Sequence, residues 1–330
     1  MRVLKKIFVI MVLAFSFIGF VGCKKNEEGE KTFKIGILQL VTHGALDNAR
    51  IGFVEGLKEN GLEDGKNVTI TVKNPEGDEL TMQQMATDLV RNNDLVLGIA
   101  TPAAVALQNA ASNEGKDIPV LFTAVTDAVA AQLVESNEKP GGNVTGTSDL
   151  NPVEAQIDLL KELLPSATKF GIVYNISEVN SKVQADAATA QAGKVGLTAL
   201  SKTVSEAAGL GSAVNSLIQD GIEALYLPTD NLVASNIATV LQICEEANIP
   251  TICGESSMVD AGGTITYGVN YTNLGKQTAL MAKKILLDGV KPSAIPVEIQ
   301  PSESLDIAVN EDGLAAIGLT LPESIRSRMK

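Results

Sequence analysis

Residues able to make and break bonds are few and scattered. His43 is the single histidine of the 330 residues, and the patterns G-x-S-x-G, G-x-x-x-x-G-K-[ST] and H-E-x-x-H are absent. The imidazole stands at a strand-to-helix turn, where a general base is feasible, but no nucleophile accompanies it; a polar contact or a loop-ordering role is the other reading. Gly141-Gly142 belongs to a Pro-Gly-Gly-Asn turn, without the preceding strand and following helix of a dinucleotide fingerprint. Besides Cys23, Cys244 falls in a helical stretch and Cys253 ends a strand, so they read as two separate thiols, although a disulfide stays open. No metal-ligand spacing is present, and neither metal nor cofactor is expected.

The pattern points to binding instead. A set of hydroxyl, amide and carboxylate residues recurs where strands end and helices begin, the place where open α/β sheets take ligands and where free helix N–H groups suit a carboxylate. In the first half these are Gln39, Thr42 and His43, then Thr101, and the run 123–127 with Thr126 and Asp127. Thr101 precedes Pro102 and is expected to cap the helix that follows. In the second half they are Ser148 and Asp149, the run from Asn175 through Glu178 to Ser181, the pair Asp230-Asn231, and Glu255-Ser256-Ser257. Carboxylates at several such turns suit a ligand ammonium. Asp and Asn before a helix are also ordinary N-caps, and both readings stand here.

These residues need elements to hold them, and the hydrophobic pattern supplies them. Strand-like runs at 33–40, 67–73, 95–100, 118–123 and 143–147 alternate with amphipathic helices, for example 45–60, where Leu46, Ala49, Phe53 and Leu57 share a face. The order then repeats with helix 153–164, strand 169–174, helix 180–195, a strand near 197–202, helix 207–220, strand 222–227, helix 232–248 and strand 249–253. Two such halves predict α/β architecture with two doubly wound parallel-sheet lobes. The last segment reads as strand 264–269, helix 273–287, strands 295–299 and 305–309 and a short helix. A tail of this kind can return to the first lobe and cross again, giving three hinge crossings near 147–151, 267–271 and 300–304. The expected division is lobe 1 at 33–148 and 268–302, and lobe 2 at 149–267 and 303–330.

Ahead of the folded body, Arg2, Lys5 and Lys6 precede an apolar run, 7–21, that ends at Gly22-Cys23. The run is shorter than the roughly 20 residues a membrane span needs, so 1–23 reads as a signal peptide rather than an anchor helix. Phe20-Val21-Gly22-Cys23 resembles a bacterial lipobox, which implies lipidation of Cys23 and an extracytoplasmic protein anchored to the cell membrane. Residues 24–32 are charged and lack apolar side chains, the composition of a tether. A net charge of -13 argues against nucleic acid as a partner.

The segments Ile35-Gly36-Ile37, His43-Gly44-Ala45-Leu46-Asp47, Ala100-Thr101-Pro102-Ala103-Ala104, Ala124 to Val129, Pro140 to Gly146, Tyr174-Asn175 with Glu178 and Ser181, and Leu227 to Asn231 resemble, in order, the TrpX-like ABC transporter substrate-binding proteins. The resemblance spans nearly all of the chain after the tether. It implies a type I periplasmic-binding-protein fold, a small-molecule ligand such as tryptophan, phenylalanine or tyrosine, and permease and ATPase partners. Carried onto matching positions, it implies ligand contacts at Thr101, Thr126, Asp127, Ser148, Asp149, Asn175, Glu178, Ser181, Asp230 and Asn231. The sequence departs from the family at Gly44 and Ala128, where proline is usual. Tyr174, Tyr267 and Tyr271 are candidates for stacking on an aromatic ligand or for packing at the hinge. A ligand-sensing partner of a membrane receptor and a surface enzyme on the same scaffold are the alternatives to uptake.

Overall fold

The computed structural model describes residues 32–300 and 305–329. Cys23, the signal segment and tether residues 24–31 lie outside the described residues, as do 301–304 of the third expected crossing.

The first half runs β1 (Phe33–Gln39), α1 (Gly44–Glu59), β2 (Val68–Lys73), α2 (Glu79–Asn92), β3 (Leu95–Ile99), α3 (Thr101–Asn113), β4 (Val120–Val125) and β5 (Val144–Ser148). The second runs α4 (Val153–Leu163), β6 (Lys169–Asn175), α5 (Val179–Lys194), β7 (Thr198–Val204), α6 (Leu210–Gln219), β8 (Leu225–Leu227), α7 (Asn231–Ser235), α8 (Ile237–Glu246), β9 (Thr251–Cys253), α9 (Ser256–Asp260) and β10 (Ile265–Gly268). The tail adds α10 (Tyr271–Leu286), β11 (Glu298–Ile299), β12 (Asp306–Val309), α11 (Glu311–Ala316) and α12 (Glu323–Arg326).

These strands form two six-stranded sheets, ordered β11-β5-β4-β3-β1-β2 and β12-β10-β9-β8-β6-β7. Every pairing is parallel except β10 with β12. Strands β3, β4 and β5 are buried along their whole length, as inner strands covered by helices on both faces must be, whereas β2 at the edge is half exposed. The tail turns the two expected five-strand halves into six-stranded sheets by giving β11 to the first and β12 to the second. The chain therefore passes between the sheets three times, after β5, after β10 and after β11.

Helix α10 returns to the first sheet and packs closely on α1. A Cβ on Gly52 would run into the Thr272 carbonyl, and one on Gly275 into the Ala49 carbonyl, so these glycines set how near the helices lie. The second sheet carries one apolar cluster on each face, one holding Phe170, Tyr174 and Tyr226, the other Val214, Leu225 and both free thiols, Cys244 and Cys253.

Local expectations change at several points: strand 295–299 shortens to β11, and the one short helix at the end becomes two, α11 and α12. Helix 232–248 is broken into α7 and α8 at Asn236, whose amide donates to the Leu232 carbonyl and competes with the helical ladder. Helix 207–220 opens with a separate 3-10 turn, Ala207–Gly209. Strand β4 runs two residues further, to Val125, with a register shift against β5 between Phe122 and Val125.

Candidate functional site

On the first lobe the backbone is strained just where the strands end. Ala100 (φ 84) and Ala124 (φ 55) occupy the left-handed region without being glycine, a conformation that costs about 1 kcal/mol or more and persists only where the surroundings enforce it. Ala100, not Thr101, is the cap residue of α3, so Thr101 is the first helical residue and its hydroxyl is not spent on the cap. Ala124 sits within the β4 register shift and delivers Thr126 to the strand end. Thr126 donates from Oγ1 to Asp149 Oδ1 at 3.0 Å, and Ser148 Oγ donates to the Thr126 carbonyl at 2.8 Å. Asp127 closes its own loop instead, accepting from Val129 and Ala130 N–H.

Asp149 lies in the first crossing and is wholly buried. Its second oxygen accepts from the Tyr271 hydroxyl at 2.8 Å, which ties the first crossing to the start of α10. Burial raises its carboxyl above the usual range, opposed by the bonds from Tyr271 and Thr126.

On the second lobe the expected residues gather into one knot. Glu178 accepts five N–H bonds, from Asn231 Nδ2 (2.5 Å), Asn231 N (3.2 Å) and Asn180 Nδ2 (3.1 Å) at Oε2, and from Asn175 Nδ2 and Leu232 N (both 3.3 Å) at Oε1. Asp230 caps α7 through Val233 N at 2.9 Å and accepts Asn175 N at 2.6 Å. Ser181, fully buried, also bonds Asp230. Burial, then the negative charge of Glu178, raises the Asp230 carboxyl. The carboxylate oxygens are taken up in ordering three loops, the capping alternative the sequence left open.

Asn180, from the expected run 175–181, completes the floor between the lobes with Gln184 and Asn151, which the sequence did not put forward as ligand contacts. Gln184, on α5, donates to Thr126 Oγ1 at 3.4 Å and accepts from Thr229 N and Oγ1 at 3.1 and 3.2 Å, so one amide bridges the lobes. Asn151 donates to the Asp149 carbonyl and Thr229 Oγ1, and Asn180 to the Thr229 carbonyl. Both asparagines are at least 96% buried (2% and 4% exposed), and each keeps an Oδ1 with no hydrogen-bond partner. A buried amide oxygen left bare costs roughly 1–3 kcal/mol, which a ligand N–H would recover. The available signal was the buried polar stripe Asn180, Ser181, Gln184 along α5, at helical spacing where apolar residues belong.

Glu255 caps α9, accepting Ser257 N at 2.6 Å and Ser257 Oγ at 2.7 Å, and burial pushes its carboxyl up to about 7. Asp149, Glu178, Asp230 and Glu255 are thus the charged side chains buried among the described residues, and all four are acids placed just past strand ends. Of the tyrosines, Tyr174 packs in the second-lobe core, Tyr267 packs between clusters and Tyr271 is committed to Asp149. Among the described residues no cluster of His, Cys, Asp and Glu is arranged for a metal ion.

Comparison with known proteins agrees with this architecture. The family model for ABC transporter substrate binding proteins matches residues 34–330. The tyrosine-binding protein of Clostridioides difficile (strain R20291) is 40% identical over 296 residues, covering 89% of this chain and 84% of the relative. A crystal structure of an ABC domain from Streptococcus pneumoniae in complex with L-Trp is 37% identical, covers 91% of this chain and 99% of its own, and superposes with a TM-score of 0.85. A ligand-free, open substrate binding protein with adhesive properties from Clostridium difficile is 45% identical over 88% of this chain and 96% of its own, yet superposes with a TM-score of only 0.67. With its two sheets and the matching span from 34 to 330, the chain belongs to the family of ABC transporter substrate binding proteins and has the type I periplasmic-binding-protein fold.

Proposed function

We propose that the chain captures an aromatic amino acid in the cleft between its lobes and hands it to an ABC permease and its ATPase, held at the outer face of the membrane by a lipid on Cys23. The observation that carries the amino acid is the acidity of the cleft: four buried acids and, among the described residues, no buried cation to answer them, beside two bare amide oxygens on Asn151 and Asn180. A ligand ammonium answers both deficits. Its carboxylate is met by neutral donors, the Thr101 hydroxyl and the N–H groups opening α3.

An aromatic side chain is supported by the tyrosine-binding relative and by the L-Trp complex. Val129 and Ile176 expose apolar surface on strand-end loops of opposite lobes and offer the ring a wall in place of the committed tyrosines. Thr101, Thr126, Ser148 and Asp149 stand in contact range of the ligand on this reading, while Asp127, Asn175, Glu178, Ser181, Asp230 and Asn231 order the loops around it. The three crossings act as the hinge, and ligand contacts made from both lobes favour the closed form. Binding and release suffice for this role, and no catalytic step is assigned.

A thermal-shift screen of the twenty amino acids tests it. A ligand at 100 times its Kd adds about 2.7 kcal/mol, so tyrosine, tryptophan or phenylalanine should raise the unfolding midpoint clearly. Asn180→Ala and Asn151→Ala should each weaken binding about tenfold, one amide bond to a charged group being worth about 1.5 kcal/mol or more. No response to any amino acid sinks the proposal.

A further inference from the structure

The lobes also meet through the one histidine. His43, just before α1 on the first lobe, places Nε2 at 3.2 Å from Asn231 Oδ1 on the second. The direction of that bond is fixed by its neighbours. Asn231 Nδ2 already donates to Glu178, so its Oδ1 faces His43 and must accept the Nε2–H. The other ring nitrogen, Nδ1, is buried with no partner. The adjoining cavity, about 190 Å³, is lined by Thr42, His43 and Gly44 from one lobe and by Ser235, Glu255 and Ser257 from the other.

We propose that His43 is a pH-responsive latch on lobe closure, whose neutral form holds the lobes together and whose protonation opens them and releases the ligand. A proton added to Nδ1 in the closed form finds no acceptor. In an open form Asn231 withdraws and both nitrogens meet water. The charged groups that act on the ring are Glu178 on the second lobe and Asp47 on α1, the latter paired with Arg50, while Glu255 lines the adjoining cavity. Burial holds the imidazole below its usual 6.5, outweighing the Asn231 bond and the charges of Glu178 and Asp47, which all favour the cation. Neither Glu178 oxygen is open to a new donor, since both accept N–H groups of the second lobe.

The sign follows from linkage. A pKa depressed on closure means the open form binds the proton more tightly, so closure, and with it affinity, is full above the open-form pKa and falls as pH drops through it. If only the open form takes the proton, at about 6.5, affinity falls up to about tenfold between pH 7.5 and 5.5.

The inference rests on the aromatic amino acid reading, and the test separates the two. L-tyrosine is titrated calorimetrically into the full chain at both pH values, alongside His43→Gln, whose amide can still reach Asn231 but does not titrate. The wild type should lose several-fold to tenfold in affinity and His43→Gln distinctly less; equal losses overturn the latch. Because the chain has one histidine, its C2 proton also reports directly by NMR. The midpoint should be lower with L-tyrosine bound than without, and equal midpoints overturn the proposal even if the variant fails to fold. If L-tyrosine does not bind at pH 7.5, the tyrosine reading fails. The latch is then read from small-angle scattering of the ligand-free chain, and a radius of gyration unchanged between the two pH values sinks it.

Discussion

Glu255 and Asp149 show what burial does to single residues here. The Glu255 carboxyl rises from 4.5 to about 7, so between those values the folded chain holds a proton that the unfolded chain releases. A raised carboxyl contributes stability at low pH that is lost as pH climbs, here across about 4.5 to 7 and by roughly 3 kcal/mol. Urea unfolding over that range should therefore show a downward component in the wild type that Glu255→Gln removes. Tyr271→Phe leaves the wholly buried Asp149 without one of its two side-chain donors and should lower the unfolding free energy by about 2 kcal/mol, read as a lower urea midpoint. The ten residues singled out from the sequence fall at strand ends or in the first turn of the helices that follow. What their types concealed is how each is spent, since an Asp that caps a helix and an Asp that greets a ligand look alike until the N–H groups around them are located.

At the scale of elements, α1 and α10 lie more than 200 residues apart in sequence, and their near approach rests on Gly52 and Gly275. Gly275→Ala should lower stability by about 1–3 kcal/mol or more, because the added methyl meets backbone that cannot yield, and thermal unfolding would record it. The strands and helices were legible because alternation and helical periodicity are local properties. The exceptions have local causes that periodicity does not register: an Asn236 amide bonded back to Leu232, and an Ala100 in the left-handed region that moves the cap one residue ahead of Thr101.

For the whole molecule, a relative at 45% identity in an open form superposes less well than one at 37% bound to L-Trp, so likeness here follows the disposition of the lobes more than kinship. The described chain has the contacts of a closed form, with Gln184 reaching Thr126 and His43 reaching Asn231. Gly44 lies at that seam, where an added Cβ would stand 2.7 Å from the Ser257 Cβ on the other lobe. Gly44→Ala should thus weaken ligand binding several-fold by calorimetry while leaving the ligand-free unfolding free energy within about 0.5 kcal/mol, the clash existing only on closure.

The sequence by itself determined the two α/β halves, the strand-end loops and the lack of a recognisable catalytic motif, because hydrophobic period and motif spacing are written along the chain. Only the tertiary structure decided that Asn151, Asn180 and Gln184 share one floor, that Glu178 and Asp230 spend their oxygens on loops, and that His43 meets Asn231. Those pairings join residues tens to hundreds of positions apart, and a hydrogen bond depends on distance and direction that no single stretch of sequence contains.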